Sequence, residues 1–184
     1  MIRPYSPVDY TDPNQAFRPY DDRFPAVARR VVGLIEDRSD GVTVEHIGSS
    51  AIPACAGKGV IDLMVLYAPG GLAAAKMVLD GLGFQRYDAP GAWGDDRPVR
   101  IGAIDDEGTT FRIHAHVIAA DDPEVVSQRR FRDRLRADPA LVAEYVSTKQ
   151  AVLEAGVADS QAYNRGKDAF IRSVLDDKPH VDQG

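Results

Sequence analysis

The sequence predicts an α+β domain, a small mixed β-sheet packed by helices with a helical last third. Three observations predict it. Val42–Ile47 and Val60–Leu66 are short runs rich in β-branched and apolar residues, joined through a Gly-Ser loop. Val99–Ile104 and Thr109–Ile118 flank Asp105-Asp106-Glu107-Gly108 as a hairpin would. After Asp121 helical periodicity takes over, with start signals at Asp122-Pro123 and Asp138-Pro139.

The elements follow in order. Residues 1–20 contain Pro4, Pro7, Pro13 and Pro19, which predicts an extended lead-in with part of it packed as an edge strand. Asp21 or Asp22 offers a cap and Pro25 falls in a first turn. Phe24, Val27, Val31, Leu34 and Ile35 recur at helical spacing, predicting a helix over Asp21–Asp37. Its arginines, Arg23, Arg29, Arg30 and Arg38, fall off that stripe and read as a solvated face. Gly41 ends the segment. The almost wholly apolar Val60–Leu66 reads as a central strand covered on both faces. Pro69-Gly70-Gly71 is a turn. Leu72, Ala75, Val78, Leu79 and Leu82 mark a second amphipathic helix, stopped by Gly81 or Gly83. Phe84–Tyr87 reads as a short strand, and 88–97 as the longest irregular connection in the middle of the chain.

Within Thr109–Ile118 the alternation is clear. Phe111, Ile113, Ala115 and Val117 point one way; Arg112, His114 and His116 point the other. Helices are then predicted from Asp121 or Asp122 to about Ala137, from Asp138 to near Gly156, and from Asp159 or Ser160 to about Leu175. Residues 1–178 are read as one domain and 179–184 as a polar tail, with nothing assigned to His180.

Composition bounds the function. The chain has 184 residues, 44% hydrophobic and 27% charged, ordinary for a globular protein. A net charge of −6 argues against non-specific binding of long nucleic acids or anionic membranes, and leaves room for a local basic pocket. One cysteine, Cys55, forms no internal disulfide and lacks a His-Asn or CxxC setting; a reducing compartment is the simple reading. No apolar run approaches the ~18 residues of a membrane span. The N-terminus is too polar and interrupted for a signal peptide. The expected location is cytoplasmic, and the oligomeric state is not readable.

Chemistry concentrates on one stretch. Gly48-Ser49-Ser50 follows a strand and can offer backbone N–H groups to a phosphate, although Gly-Ser is also an ordinary turn. Asp62 comes thirteen positions after Ser49, inside an apolar strand where a carboxylate is costly without a partner such as a metal. If the Arg112, His114, His116 face meets Asp62, the residues form a cluster. Asp and His donors favour Zn²⁺ or Mn²⁺ over Mg²⁺, and a metal-free site working through hydrogen bonds is the other reading. Glu45 and His46 alternate beside the loop, so one of them looks toward the site, and the sequence does not say which. Lys149 and Lys167 each follow a tyrosine (Tyr145, Tyr163) by four residues on an apolar stripe; each either snorkels to solvent or extends its ammonium into an anion site. Arg129, Arg130, Arg132, Arg134 and Arg136 are too close in sequence to share one helix face, so most are expected at the surface.

A Gly-Ser pair after a strand, with a carboxylate in the next strand, resembles the nucleotidyltransferase signature. The wider pattern is similar to the GrpB (UPF0157-type) family. It comprises His46-Ile47-Gly48-Ser49-Ser50-Ala51-Ile52-Pro53, Lys58, Ile61-Asp62, His114-Ala115-His116-Val117, and Phe131-Arg132-Asp133-Arg134-Leu135-Arg136. Glu144-Tyr145 with Lys149, and Tyr163 with Lys167 and Phe170-Ile171, complete it. The resemblance runs from about residue 20 to 175. It implies a nucleotidyltransferase-like fold, in which the loop binds nucleotide phosphates and strand carboxylates hold a divalent cation. Related domains fused to dephospho-CoA kinase point to nucleotide or coenzyme A chemistry. Three departures stand out: Met64 where a second acid is usual, Gly59 where Pro is common, and Ala54-Cys55-Ala56 in place of a Gly-Leu run.

The resulting expectation is a nucleotide-dependent transferase with an unspecified acceptor. Asp62, His114 and His116 are the expected catalytic residues and metal ligands. Gly48, Ser49, Ser50, Lys58, Arg112, Lys149 and Lys167 are expected to bind phosphate or nucleotide. The cofactors implied are a nucleoside triphosphate and a divalent cation (Mg²⁺, Mn²⁺ or Zn²⁺). The partner is a small nucleotide or other phosphate-bearing ligand, with neither long nucleic acid nor membrane. The rivals are a non-catalytic module binding a nucleotide or a coenzyme-A-related ligand, and a metal-dependent hydrolase using Asp62 with His114 or His116.

Overall fold

A computed structural model describes residues 1–87, 97–157 and 159–176. The expected 88–97 connection, apart from Arg97, and the 179–184 tail with His180 lie outside the described residues. The chain begins with a short helix, α1 (Pro13–Ala16), then α2 (Phe24–Glu36) and strand β1 (Val42–Ile47). A single 3-10 turn, Ser49–Ala51, leads to β2 (Val60–Tyr67). Next come α3 (Leu72–Gly81), β3 (Gln85–Arg86), β4 (Val99–Asp106) and β5 (Thr109–Ala119). Three helices close the described chain: α4 (Pro123–Ala137), α5 (Pro139–Glu154) and α6 (Ser160–Asp176).

One local device recurs. Asp12-Pro13, Asp122-Pro123 and Asp138-Pro139 each start a helix, the Asp accepting a backbone N–H two residues on while Pro fills a position that needs no N–H. The first of these, α1, was hidden in what the sequence presents as an extended lead-in. The edge-strand expectation for that lead-in reduces to two isolated antiparallel bridges, Arg3 to Ala103 at the sheet and Arg18 to Gly57. Helix α2 begins three residues later than Asp21, because the Asp21 carboxylate is turned onto the backbone N–H and guanidinium of Arg23.

The sheet order is β1-β2-β5-β4-β3. The β2–β5 pair is parallel and the other pairs are antiparallel, so the sheet is mixed, as expected. Register fixes the two faces. Ile47 lies opposite Asp62, Asp62 opposite His114, and Met64 opposite His116. On the far face Ile61, Leu63 and Val65 of β2 join Phe111, Ile113, Ala115 and Val117 of β5. Helices α2 and α3 cover this face with Phe24, Val27, Val31, Ile35, Ala75 and Leu79. The near face holds a smaller cluster of Ile47, Met64, Leu66, Ile118 and Val125. A third cluster ties the last three helices to the segment after the 3-10 turn: Ile52 and Cys55 pack with Phe131, Leu135, Val142, Tyr145, Phe170 and Val174. These helices therefore hold the loop against the near face and roof it.

Candidate functional site

Gly48 sets the geometry. Its φ of +69° and ψ of −172° lie in a region open essentially to glycine alone. A methyl group built on it would sit 2.6 Å from Asp62 Oδ2. The loop therefore leaves β1 directly over the Asp62 carboxylate, which only a residue without Cβ allows. Ser50 is buried and bonded to His46 Nε2 at 2.9 Å. Burial drives the His46 pKa down to about 4, with Asp62 opposing, so this imidazole is neutral at physiological pH. Glu45 shares the face of Asp62 and Met64 by register, and it is held by Arg129 and Arg132 of α4. That answers which of the pair faces the site side.

Asp62, His114 and His116 converge. Asp62 Oδ1 lies 3.4 Å from His116 Nε2 and 3.7 Å from His114 Nδ1, and one ligand atom from each residue falls within 4.8 Å of the others. The far nitrogen of His114, Nε2, is 2.6 Å from the Tyr5 hydroxyl, which orients the ring with Nδ1 toward the common point. Burial tends to raise the Asp62 pKa. The His116 hydrogen bond and the Lys58 charge oppose it, and the carboxyl is held well below the usual range. Burial takes His114 down to about 3, so its imidazole is neutral and able to ligate. A carboxylate and two imidazoles fit a single divalent ion of the Zn²⁺ or Mn²⁺ type better than Mg²⁺. Met64, where a second acid would stand, is fully buried among Ile47, Leu66, Ile118 and Val125.

Beside this trio is a cavity of about 710 Å³, lined by Gly48, Ser49, Lys58, Tyr145, Tyr163 and Lys167 among others. That volume suits a ligand of nucleotide size. Burial would lower the Lys58 pKa, but Tyr10 and Asp62 outweigh it and the ammonium is stabilised. Lys149 is 1% exposed and donates to Ser49 Oγ at 3.1 Å and to the Ala56 carbonyl. Lys167 lies with its Nζ 4.3 Å from the Tyr163 ring centre. Burial, then the charges of Lys58 and Lys149, bring the Lys167 pKa down to about 7. Neither lysine snorkels freely away: Lys149 sits under the Gly-Ser loop and Lys167 lines the cavity.

A family model described as "GrpB protein" matches residues 16–177. The chain belongs to the GrpB family. A UPF0157 protein of Pseudomonas aeruginosa is 31% identical over 139 residues, covering 73% of this chain and 54% of the relative. The chain thus spans about half the length of that relative. A dephospho-CoA kinase of Mycolicibacterium paratuberculosis is 28% identical over 181 residues, covering 85% of this chain and 44% of the kinase. Among solved structures, the conserved protein GrpB from Enterococcus faecalis superposes with a TM-score of 0.68 at 21% identity, covering 87% of this chain and 94% of that one. The structure of Cid1 in complex with its short product ApU superposes with a TM-score of 0.50 at 14% identity, covering 71% of this chain and 41% of Cid1. The fold is accordingly nucleotidyltransferase-like.

Within this GrpB fold, the structure brings together Gly48, Ser49, Ser50, Lys58, Asp62, His114, His116, Lys149 and Lys167. It sets Arg112 apart. That guanidinium donates to Gln15 Oε1 at 2.8 Å and lies 5.8 Å from the Tyr5 ring, and Arg112 does not line the cavity. It sits on the right face, but its guanidinium is turned onto Gln15 and Tyr5 of the N-terminal segment. The helix α4 arginines are largely committed to the fold: Arg129 and Arg132 to Glu45, Arg134 to the Val174 carbonyl, Arg136 to the Ala51 carbonyl. Two site residues escaped sequence reasoning. Tyr5 meets His114, and Tyr10 favours the Lys58 ammonium while its ring lies 5.2 Å from that of Tyr163. Both precede the family match, in a proline-broken segment with no periodicity to expose them. No described helix is long and apolar enough to cross a membrane.

Proposed function

We propose that this GrpB-family protein binds a nucleoside triphosphate in the cavity beside Asp62 and transfers part of it to an acceptor. One observation carries the reading. Three lysines, Lys58, Lys149 and Lys167, are close enough that Lys58 and Lys149 depress the Lys167 pKa and Lys58 depresses that of Lys149. Opposite them stands the Asp62 carboxylate, already shared with His114 and His116. Buried cations in excess over their carboxylate partners are stabilised by an anion, and a polyphosphate supplies several charges at once. The Ser49 and Ser50 backbone N–H groups complete the phosphate cradle, and half-buried Tyr10, backed by Tyr163, offers its ring to a base.

Asp62, His114 and His116 would hold a divalent cation, which supplies charge neutralisation at the transferring phosphate. The chain's own part is to position the triphosphate and balance its charge. Arg112 is left outside this assignment. The setting is a reducing cytoplasm, with a small-molecule ligand in place of long nucleic acid.

Met64 favours a second reading. With a buried thioether in place of a second acid, the same cavity would bind a nucleotide or a coenzyme-A-related ligand without turnover. Thermal shift against the four ribonucleoside triphosphates, coenzyme A and Mn²⁺ or Zn²⁺ tests both. A triphosphate shift lost in Asp62→Ala, with pyrophosphate release, supports the transferase. A shift with no release under any acceptor supports the binding module. No response to any phosphate ligand removes both.

A further inference from the structure

Ser49, Tyr145 and Lys149 form a cluster that phosphate binding does not explain. Lys149 Nζ lies 3.1 Å from Ser49 Oγ; its remaining polar neighbours are the Ala56 carbonyl and Cys55 Sγ, the latter at 3.2 Å. Tyr145, one helical turn earlier on α5, lines the cavity with Ser49 and holds its ring centre 4.5 Å from the same Nζ. A buried lysine ordinarily sits against a carboxylate. Lys149 instead faces a hydroxyl, a carbonyl and a thiol. As an ammonium it donates to all three; once it gives up a proton the amine still fits, two N–H bonds going to the carbonyl and the sulfur while the lone pair accepts the Ser49 O–H. Burial lowers the Lys149 pKa below the ordinary lysine value, Lys58 adds to this and Cys55 opposes it. Access separates the two serines. Both line the cavity, but Ser50 is 2% exposed with its hydroxyl bonded to His46, whereas Ser49 is only half-buried.

We propose that Ser49 is a nucleophile whose proton passes to Lys149, and that it takes the nucleotidyl group of a nucleoside triphosphate as a covalent intermediate. The assignment rests on the nucleotide reading above and names the first acceptor in it. Ser49 Oγ forms a bond to the α-phosphorus. The bond from that phosphorus to its bridging oxygen breaks, and pyrophosphate departs with the electron pair. The hydroxyl proton goes to Lys149 Nζ. A second hydroxyl, from water or an acceptor, then attacks the same phosphorus and releases its proton to solvent, and Ser49 leaves with the proton returned by Lys149. This gives the site a proton acceptor for its nucleophile, a role that buried Met64 cannot fill. Tyr145 is a positioning residue, holding its ring against the lysine.

Two probes separate this from the nucleotide reading. The full chain is treated with a fluorophosphonate, which needs a nucleophile but no nucleotide site, and separately with each ribonucleoside triphosphate and Mn²⁺. Intact mass and peptide mapping then locate the adduct. The expected result is a single adduct on Ser49 from both, absent in Ser49→Ala, with pyrophosphate released in step. Lys149→Arg keeps a cation but removes the proton acceptor; labelling by the fluorophosphonate, which needs no nucleotide site, should slow by about a hundredfold or more. In the unmutated chain the labelling rate should rise with pH as Lys149 loses its proton, a readout that needs no buried substitution. A chain that shifts with triphosphate yet gives no adduct, or gives one on Ser50 or a lysine, overturns the nucleophile and leaves the nucleotide reading standing. Fluorophosphonate labelling of Ser49 without any triphosphate response overturns the nucleotide donor.

Discussion

The two faces of the sheet do different work although they alternate residue by residue. Leu63 faces α2 and α3 in a fully apolar cluster; its neighbour Asp62 faces the cavity with two histidines and Lys58. One face holds the fold by excluding water. The other collects ionisable groups that burial disfavours. The strand period of two lets a single short strand serve both, and it also means that a register slip would exchange them. The comparison predicts that substitutions on the two faces differ in sign as well as size.

The largest effect belongs to the far face. Leu63→Ala removes a fully buried side chain from the centre of the main cluster. Urea denaturation should show a loss of about 2–5 kcal/mol. A loss much below that range would mean that the α2–α3 side is loosely packed and that the two faces contribute alike.

Much of this was legible in the sequence because strands and their faces follow from alternation. Phe111, Ile113, Ala115 and Val117 against His114 and His116 was readable, and the register places that histidine face beside Asp62 as the alternation requires. The Asp-Pro signals at 122–123 and 138–139 located two helix starts within a residue or two. The same signal at Asp12-Pro13 went unread because only four residues of helix follow it, too few for periodicity. Arg112 shows the limit of face arguments: alternation fixes which side a residue lies on, but not which tertiary partner, here Gln15 and Tyr5, claims its side chain. Tyr5 and Tyr10 reach the site through tertiary packing of an irregular segment, which carries no local pattern.

Gly48→Ala comes next, at the junction of the two faces. The glycine-only backbone conformation and the 2.6 Å approach to Asp62 act together. The strained backbone costs about 1–3 kcal/mol, and relief of the clash displaces the carboxylate. Calorimetric titration with Mn²⁺ or Zn²⁺ should accordingly show weakened binding in this variant. Unchanged metal affinity alongside reduced stability would separate the loop from the Asp62 cluster.

Lys167→Met tests the opposite sign. In the folded chain the Lys167 pKa is about 7, far below its unfolded value, so between the two the unfolded state binds the extra proton. Stability therefore rises with pH from about 7 toward the ordinary lysine range, and Lys58, Lys149, Asp62 and Asp168 set where that rise begins. The methionine variant should lose this rise and be at least as stable at neutral pH. Triphosphate binding moves the other way. The ammonium that repels its neighbours attracts the ligand, so affinity should fall as pH climbs through about 7 in the unmutated chain. In the variant it should be lower by roughly tenfold or more and flat across that window. Denaturation and binding measured at a series of pH values give both signs. A variant that is less stable yet binds equally well would place Lys167 on the fold's side of the comparison.

The smallest effect probes how the roof holds the cavity side. Asp138 caps α5 by accepting from the backbone N–H groups of Ala140 and Leu141. Asp138→Ala should cost about 1 kcal/mol. The helix it starts carries Tyr145 and Lys149 at the Gly-Ser loop, while the cap lies about two turns before Tyr145 on an exposed end. If the roof moves as one body with the loop, through the Ile52, Cys55, Phe131, Tyr145 and Phe170 cluster, the lost cap appears as a small drop in global stability with labelling of Ser49 unchanged. If α5 instead frays by itself, hydrogen exchange will rise in its first turns ahead of the rest, and Ser49 labelling will slow with it. The first outcome is expected, because Tyr145 stacks on Phe170 and meets Phe131 edge-on, with ring centres 5.1 and 5.2 Å apart, anchoring α5 well beyond its first turn.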